Sequence, residues 1–248
     1  MQYLQKTTSD INIFPNTPCV VGEFISSSSR ITKYCPYTSG LVFWLDGIDK
    51  GPNSGDWTDL INGYRFVNNG NVNGDDTGWL FDSSTNAGQN GTQYFIYSAG
   101  LNNLMANTCT IEVVYKCDKD ARWCIFNQDA NNKIMFGVDS YGTKCYTYNG
   151  VNGASYTRTA GLEPAVTMSA NATLCYRNGS VVSRTDSGKY TISGGGAIVG
   201  CYKTAASDNW PFYGKIYSIR IYNRKLNAAE MIYNQRIDNG RFNLGLEI

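Results

Sequence analysis

An all-β fold, two sheets packed face to face as a jelly-roll sandwich, is predicted for this 248-residue chain. Three observations predict it. About a dozen short runs rich in apolar and aromatic residues recur at roughly ten-residue spacing, the rhythm of sandwich strands joined by turns. The composition agrees, since 26 Gly, 18 Tyr and many Asn, Ser and Thr suit tight turns between β-prone segments. Helix signals occur only once, near the C-terminal end. A sandwich of about 200–250 residues commonly forms one unit, and a chain of this size buries about 70–75% of its extended surface.

Residues 1–39 differ from the rest. Two apolar runs, 11–14 and 19–25, are split by Pro15, Pro18 and the serines 26–29. This reads as an extended arm, too apolar to be fully disordered. It either pairs with the sandwich edge or docks on another chain by strand addition. Residues 40–248 form the sandwich. Strands are predicted at 40–47, 79–81, 93–97, 110–116, 121–127, 133–138, 144–148, 165–169, 173–177, 181–184, 197–203 and 215–222, with loops at 51–62 and 68–77. Asn178-Gly179 marks a two-residue hairpin turn, because both positions need positive φ. Over 215–222, Ile216, Ser218, Arg220 and Tyr222 alternate with Lys215, Tyr217, Ile219 and Ile221. A helical turn follows, with Asn227 as N-cap and Glu230 completing a capping box.

The residues Phe212, Gly214, Ile216, Ile221, Tyr222, Asn223, Arg224, Leu226 and Glu230 fit a pattern F-x-G-x-I-x-x-x-x-I-Y-N-R-x-L-x-x-x-E. That pattern resembles the C-terminal end of laminin-G-like, concanavalin A-like lectin/glucanase domains. G-L-V-F-W-L-D-G at 40–47 resembles their opening strand, T-I-E-V-V-Y-K at 110–116 an early central strand, and T-L-C-Y-R-N-G at 173–179 their L-Y-V-D-G hairpin. The resemblance covers roughly residues 40–238. It implies a concanavalin A-like sandwich, and glycan or host-surface binding is the function that would follow from it.

Charge is sparse and balanced at +1 without a basic run, which argues against a nucleic-acid partner. The start lacks the basic residues and apolar run of a signal peptide, and no stretch reaches the about 18 apolar residues of a membrane span. The eight cysteines, at 19, 35, 109, 117, 124, 145, 175 and 201, form no C-x-x-C, and there is no histidine to complete a zinc site. Six lie in or beside predicted strands, which favours reduced, buried thiols over disulfides.

Catalysis is not expected. Glycosidases need two carboxyls about 5–10 Å apart, yet none of the five Glu has an acidic residue at i+2 or i+4 within a strand. Glu112 alone is centred in a strong strand, beside Thr110, Val114 and Lys116. Without histidine a Ser-His-Asp or Cys-His arrangement cannot be built. Aspartates at 46, 49, 56, 59, 75, 76, 129, 139 and 208 lie in or beside predicted loops and read as turn residues that bond their own backbone. No cofactor is expected, with a calcium ion held between two distant loops as the open alternative.

Aromatic residues beside amides and carboxylates remain as ligand candidates, since sugars present flat C–H faces and hydroxyls. The loop at 204–211 offers Asp208, Asn209 and Trp210, flanked by Tyr202 and Tyr213, with Trp57 as a second exposed candidate. The competing reading has Trp210 folding back on the core, where Trp44, Trp79 and Trp123 are expected. The expected function is a non-catalytic recognition module. Such domains face the outside of cells, while this chain shows no secretion signal and cysteines that look reduced. A bacteriophage virion surface protein, oligomeric and anchored to other virion proteins through residues 1–39, reconciles these facts. The alternatives are a purely structural virion decoration or assembly protein and a secreted bacterial carbohydrate-binding protein.

Overall fold

The computed structural model describes residues 36–52, 55–82, 93–99, 101, 109–119, 123–128, 134–138, 144–148, 153–157, 163–171, 174–182, 196–203 and 208–248. Residues 1–35, most of the arm expected over 1–39, lie outside them. Among the described residues the strands, in chain order, are β1 (Leu41–Asp46), β2 (Trp57–Thr58), β3 (Arg65–Asn69), β4 (Asn73–Gly74), β5 (Trp79–Phe81) and β6 (Tyr94–Tyr97). Then come β7 (Thr110–Cys117), β8 (Trp123–Gln128), β9 (Ile134–Val138), β10 (Lys144–Tyr148), β11 (Gly153–Thr157) and β12 (Glu163–Asn171). The last are β13 (Cys175–Arg177), β14 (Ser180–Val181), β15 (Ala197–Val199), β16 (Tyr202–Lys203), β17 (Asp208–Asn209) and β18 (Gly214–Tyr222), followed by the helix α1 (Ala228–Phe242).

Two eight-stranded antiparallel sheets and a separate β16-β17 pair result. The first runs β14-β13-β12-β7-β18-β5-β4, with β1 also on β18; the second runs β11-β10-β9-β8-β15-β6-β3-β2. The hub of the first sheet is β18. One side pairs with β7 along its whole length, and the other pairs with β5 through Gly214–Ile216 and with β1 through Ser218–Tyr222. At the junction Gly47 donates its N–H to the Tyr217 carbonyl at 2.7 Å. A Cβ on Gly47 would sit 2.4 Å from the Thr77 carbonyl oxygen, so only glycine lets the two strand ends meet there.

The alternation read from the sequence over β18 is corrected by a bulge. Register shifts between Ile216, opposite Tyr115, and Ser218, opposite Val114. One extra residue reverses the facing of what precedes it. Ile216 therefore joins Ile219 and Ile221 in the core, and only Ser218, Arg220 and Tyr222 share the other face. Between the sheets Ile111, Val113, Tyr115 and Cys117 of β7 meet Trp123, Ile125 and Phe126 of β8, with Phe43, Phe81, Phe95 and Phe212 around them. Trp44, Trp79 and Trp123 are buried as expected. Edge-to-face rings recur through this core, as in Trp123 against Phe212 at 5.3 Å.

The capping box forms as read. Asn227 accepts from the Glu230 N–H at 3.0 Å, and Glu230 accepts from the Asn227 N–H at 2.9 Å. Arg224 forks onto Glu230 at 2.9 and 3.0 Å. The helix extends beyond one turn to 15 residues, ending at Asn243 in the left-handed conformation. It lies on the outer face of the first sheet, over β12 and β13. The hairpin turn holds as well, with φ of 48° at Asn178 and 76° at Gly179. Strands β3 and β11 are additions to the sequence reading. β2 and β4 fall inside segments read as loops, and the strand expected over 197–203 breaks at Gly200, where φ is 96°.

Candidate functional site

The structure separates the aromatic candidates. In β8, Trp123 and Ile125 point into the core, so Cys124 points to the outer face of the second sheet. There it meets Tyr202, on which the half-buried Trp210 stacks at 4.5 Å with planes 21° apart. The Trp210 carbonyl accepts the Cys124 N–H at 3.0 Å, and φ at Trp210 is 54°. Trp210 thus folds back, onto this outer patch rather than onto the inter-sheet core, and Tyr202 covers one face of its indole. Asp208 and Asn209 form β17, pairing in backbone with Lys203 and Tyr202; their side chains lie outside the described residues.

Trp57 corrects the sequence reading. It is fully buried, packed against Trp79 at 6.2 Å and Phe95 at 5.7 Å, and its indole N–H donates to the Asp46 carbonyl at 2.9 Å. The polar run around it reads as a surface loop, but Asp56 and Asp59 are spent on backbone N–H groups of the body. Asp59 accepts from the Trp44 N–H at 2.7 Å and the Asn62 N–H at 2.8 Å, and Asp56 accepts from the Asn68 N–H at 2.9 Å. Trp57 is a core residue.

Tyr213 faces a different place, an open cavity of 640 Å³. Its carbonyl accepts the Asp118 N–H at 3.0 Å, and the Lys119 ammonium sits 4.0 Å from its ring centroid. Asn73, Asp82, Gln93 and Asp118 bring amides and carboxylates to the same cavity, and Leu80 adds an exposed apolar wall. Gln93 is itself fixed, accepting from the Asp82 N–H and donating to the Asn71 carbonyl at 3.1 Å. Gly214 lets β18 approach β7 here, because a Cβ would sit 2.0 Å from the Lys116 carbonyl oxygen. Asn73, Asp82, Gln93, Asp118 and Lys119 were not legible as site residues. They come from three separated segments, and no spacing links them.

Glu112, Asp238, Asp75, Asp46 and Asp49 are engaged in contacts within the fold. Glu112 lies between β7 and α1, 2% exposed. It accepts from Ser169 Oγ at 2.8 Å, Arg220 Nε at 3.0 Å and Asn234 Nδ2 at 2.9 Å. Arg220 also forks onto Asp238 of α1, with Nη1 to Oδ1 at 2.8 Å. Burial pushes the Glu112 carboxyl up to about 7, the nearby Asp238 charge pushes the same way, and Arg220 pulls it down. No substrate reaches this cluster. Asp75 is the opposite case: burial raises it, but Lys215 at 2.6 Å and the Thr77 N–H more than offset that and hold it at about 2. Asp46, Asp49 and Asp75 accept backbone N–H groups two residues on, as turn residues do. Among the described residues no group of three His, Cys, Asp or Glu is placed to hold a metal ion. Cys109, Cys117, Cys124, Cys175 and Cys201 are buried thiols, and burial raises those of Cys109 and Cys124 further; Cys19 and Cys35 and the side chain of Cys145 lie outside the described residues.

Two antiparallel sheets packed face to face, with a cavity lined by Asn73, Asp82, Gln93, Asp118 and Tyr213, define a concanavalin A-like β-sandwich. Residues 86–231, more than half of the chain, match the concanavalin A-like lectin/glucanases superfamily in its laminin G form, and the chain belongs to that family. No curated protein matches it in sequence. Among solved structures it is similar to a Trypanosoma rangeli sialidase in complex with sialic acid, at 13% identity and a TM-score of 0.56, over 80% of this chain and 33% of that one. It is equally similar to the binding domain of Botulinum neurotoxin DC in complex with rat synaptotagmin II, at 14% identity and a TM-score of 0.56, over 82% of this chain and 52% of that one. The chain spans about a third of the sialidase and half of the neurotoxin domain, and at these identities the likeness is one of fold.

Proposed function

We propose that this domain is a non-catalytic recognition module that binds carbohydrate in the cavity beside Tyr213. The observation that carries the reading is the cavity itself. One aromatic ring, an apolar wall and fixed amide and carboxylate groups converge on a volume within the about 300–1,000 Å³ usual for small-ligand sites. The sealing of Glu112 and Asp238 under α1 supports the non-catalytic part, since neither can protonate a leaving group. Of the two similar structures, one is a sialidase holding sialic acid and the other holds rat synaptotagmin II, so the fold is compatible with either a sugar or a protein ligand. A glycan array tests it. Wild-type protein and Trp210→Ala bind the same glycan, and Tyr213→Ala loses at least tenfold in affinity. Loss in Trp210→Ala alone would move the site to the outer patch, and no binding to any glycan would remove the reading.

The finer reading is a bacteriophage virion surface protein, displayed outward and attached through the residues before the sandwich. Five buried thiols support assembly in a reducing cytoplasm. Tyr37 already belongs to the body, its N–H donating to Asn234 Oδ1 at 2.7 Å and its carbonyl accepting from the Tyr222 hydroxyl at 2.9 Å. That leaves residues 1–35 as the anchor. A chain beginning at Pro36 should fold and bind glycan yet lose assembly with its own copies or virion partners. Unfolding of that shortened chain, or native disulfides in mass analysis without reductant, would count against this reading.

A further inference from the structure

We propose that Glu112, Arg220 and Asp238 form a proton-operated latch: a proton on Glu112 holds α1 and the Tyr37 segment against the first sheet, and its loss loosens both. The groups facing Glu112 come from every element packed there. β18 supplies Arg220 and the Tyr222 phenol, β12 supplies Ser169, and α1 supplies Asn234 and, across the guanidinium, Asp238. Arg220, Glu112 and Asp238 side chains are each 1–2% exposed. One guanidinium therefore faces two carboxylates with water excluded. Fully ionised, the set keeps one uncompensated negative charge, which a dry interface tolerates poorly. A proton on Glu112 brings the set to neutrality.

The mechanical link runs through Asn234. Its Nδ2 donates to Glu112 Oε2 at 2.9 Å and to the Tyr222 hydroxyl at 3.0 Å, while its Oδ1 receives the Tyr37 N–H at 2.7 Å. Gln235, next on the helix, donates to Ser169 Oγ at 3.0 Å and accepts the Gly179 N–H at 2.6 Å. Any strain at Glu112 thus reaches α1, the β13–β14 turn and the root of the N-terminal segment together. The direction follows from burial: Glu112 titrates at about 7, above its ordinary 4.5. The interface gains from protonation below about 4.5 and loses that gain as pH rises through about 7.

Hydrogen exchange on the full chain tests it. Protection factors of α1 amides and of the Tyr37 N–H, corrected for intrinsic rates, should fall by about tenfold between about pH 6 and about pH 8.5, while amides of β8 and β15 stay constant. Glu112→Gln should remove this dependence. Its amide keeps an oxygen toward Arg220 and Asn234 and turns a donor toward Ser169, as the protonated carboxyl does. Where that variant does not fold, carbon-13 titration of the Glu112 carboxyl in the wild-type protein decides. A midpoint near neutrality that coincides with the exchange transition supports the latch. A midpoint below about 5, or protection in α1 that is flat with pH, overturns it, as does a pH dependence that survives in Glu112→Gln.

Discussion

Arg220 and Asp238 meet fork to fork across the boundary between β18 and α1, both terminal guanidinium nitrogens donating to the two carboxylate oxygens. This pair fixes the helix in angle as well as position, because two parallel bonds admit one orientation. Asp238→Ala leaves both nitrogens buried without acceptors, although Glu112 still receives Nε. The expected cost is about 3 kcal/mol, the lower end for breaking a buried pair, read as a lower urea midpoint at unchanged slope. A loss under about 1 kcal/mol would mean that the helix is held by its apolar contacts alone.

Asp75 makes an acid-side prediction. Its carboxyl is held at about 2 against an ordinary 3.8, so its contribution is complete above about 3.8 and is lost as pH falls through about 2. The group is half-exposed, so the effect is small and screened by salt. Melting temperatures taken from about pH 5 to about pH 2 at low salt should fall less steeply in Asp75→Asn than in the wild-type protein. Parallel curves would show that Lys215 and the Thr77 and Gly78 N–H groups do not discriminate the charged form.

Deleting Tyr217 tests the bulge. Without the extra residue, Ile216 opposite Tyr115 and Ser218 opposite Val114 become consecutive pairs, so the alternation turns regular and Ile216, Ile219 and Ile221 keep the core face. What is lost is the bond from the Gly47 N–H to the Tyr217 carbonyl and the bulge at which β5 gives way to β1 along β18. The shortened chain should fold with strand-type circular dichroism and be less stable by about 1–3 kcal/mol. A chain that fails to fold would mean that the bulge is needed for more than the facing of Ile216.

Two aromatic substitutions should separate stability from binding. Trp57→Ala opens a hole beside Trp79 and Phe95 and should cost about 3–5 kcal/mol while leaving affinity per folded molecule unchanged. Tyr213→Ala should change stability by less than about 1 kcal/mol and carry the loss of glycan affinity. Thermal melts beside binding isotherms check both, and a reversal of the two effects would return the site to Trp57.

β7 and β1 were legible as short, mostly apolar runs, because nearly all of β7 and the last four residues of β1 are buried. The capping box and the Asn178-Gly179 turn were legible because their chemistry is local. β3 escaped notice because Phe66 is its one fully buried side chain among polar neighbours, and the bulge because an extra residue leaves no mark in composition. Trp57 was misplaced for a related reason: its flanking aspartates are polar by type but are consumed by backbone donors. The cavity at Tyr213 joins side chains from distant segments, and only the folded chain brings them together.

The position of β18 has a consequence for how the protein is made. The indole of Trp44 bonds to Ser218 Oγ across 174 positions of sequence, and β1, β5 and β7 all wait for the same late strand. During synthesis the first sheet therefore lacks its central member until nearly the entire described chain has emerged. Contacts of such separation are slow to form. For that interval β1 and β7 carry open edges with Phe43, Val113 and Tyr115 uncovered, the condition under which nascent chains aggregate. Premature termination anywhere before Gly214 should thus yield a product dependent on chaperones, rather than a smaller stable sandwich.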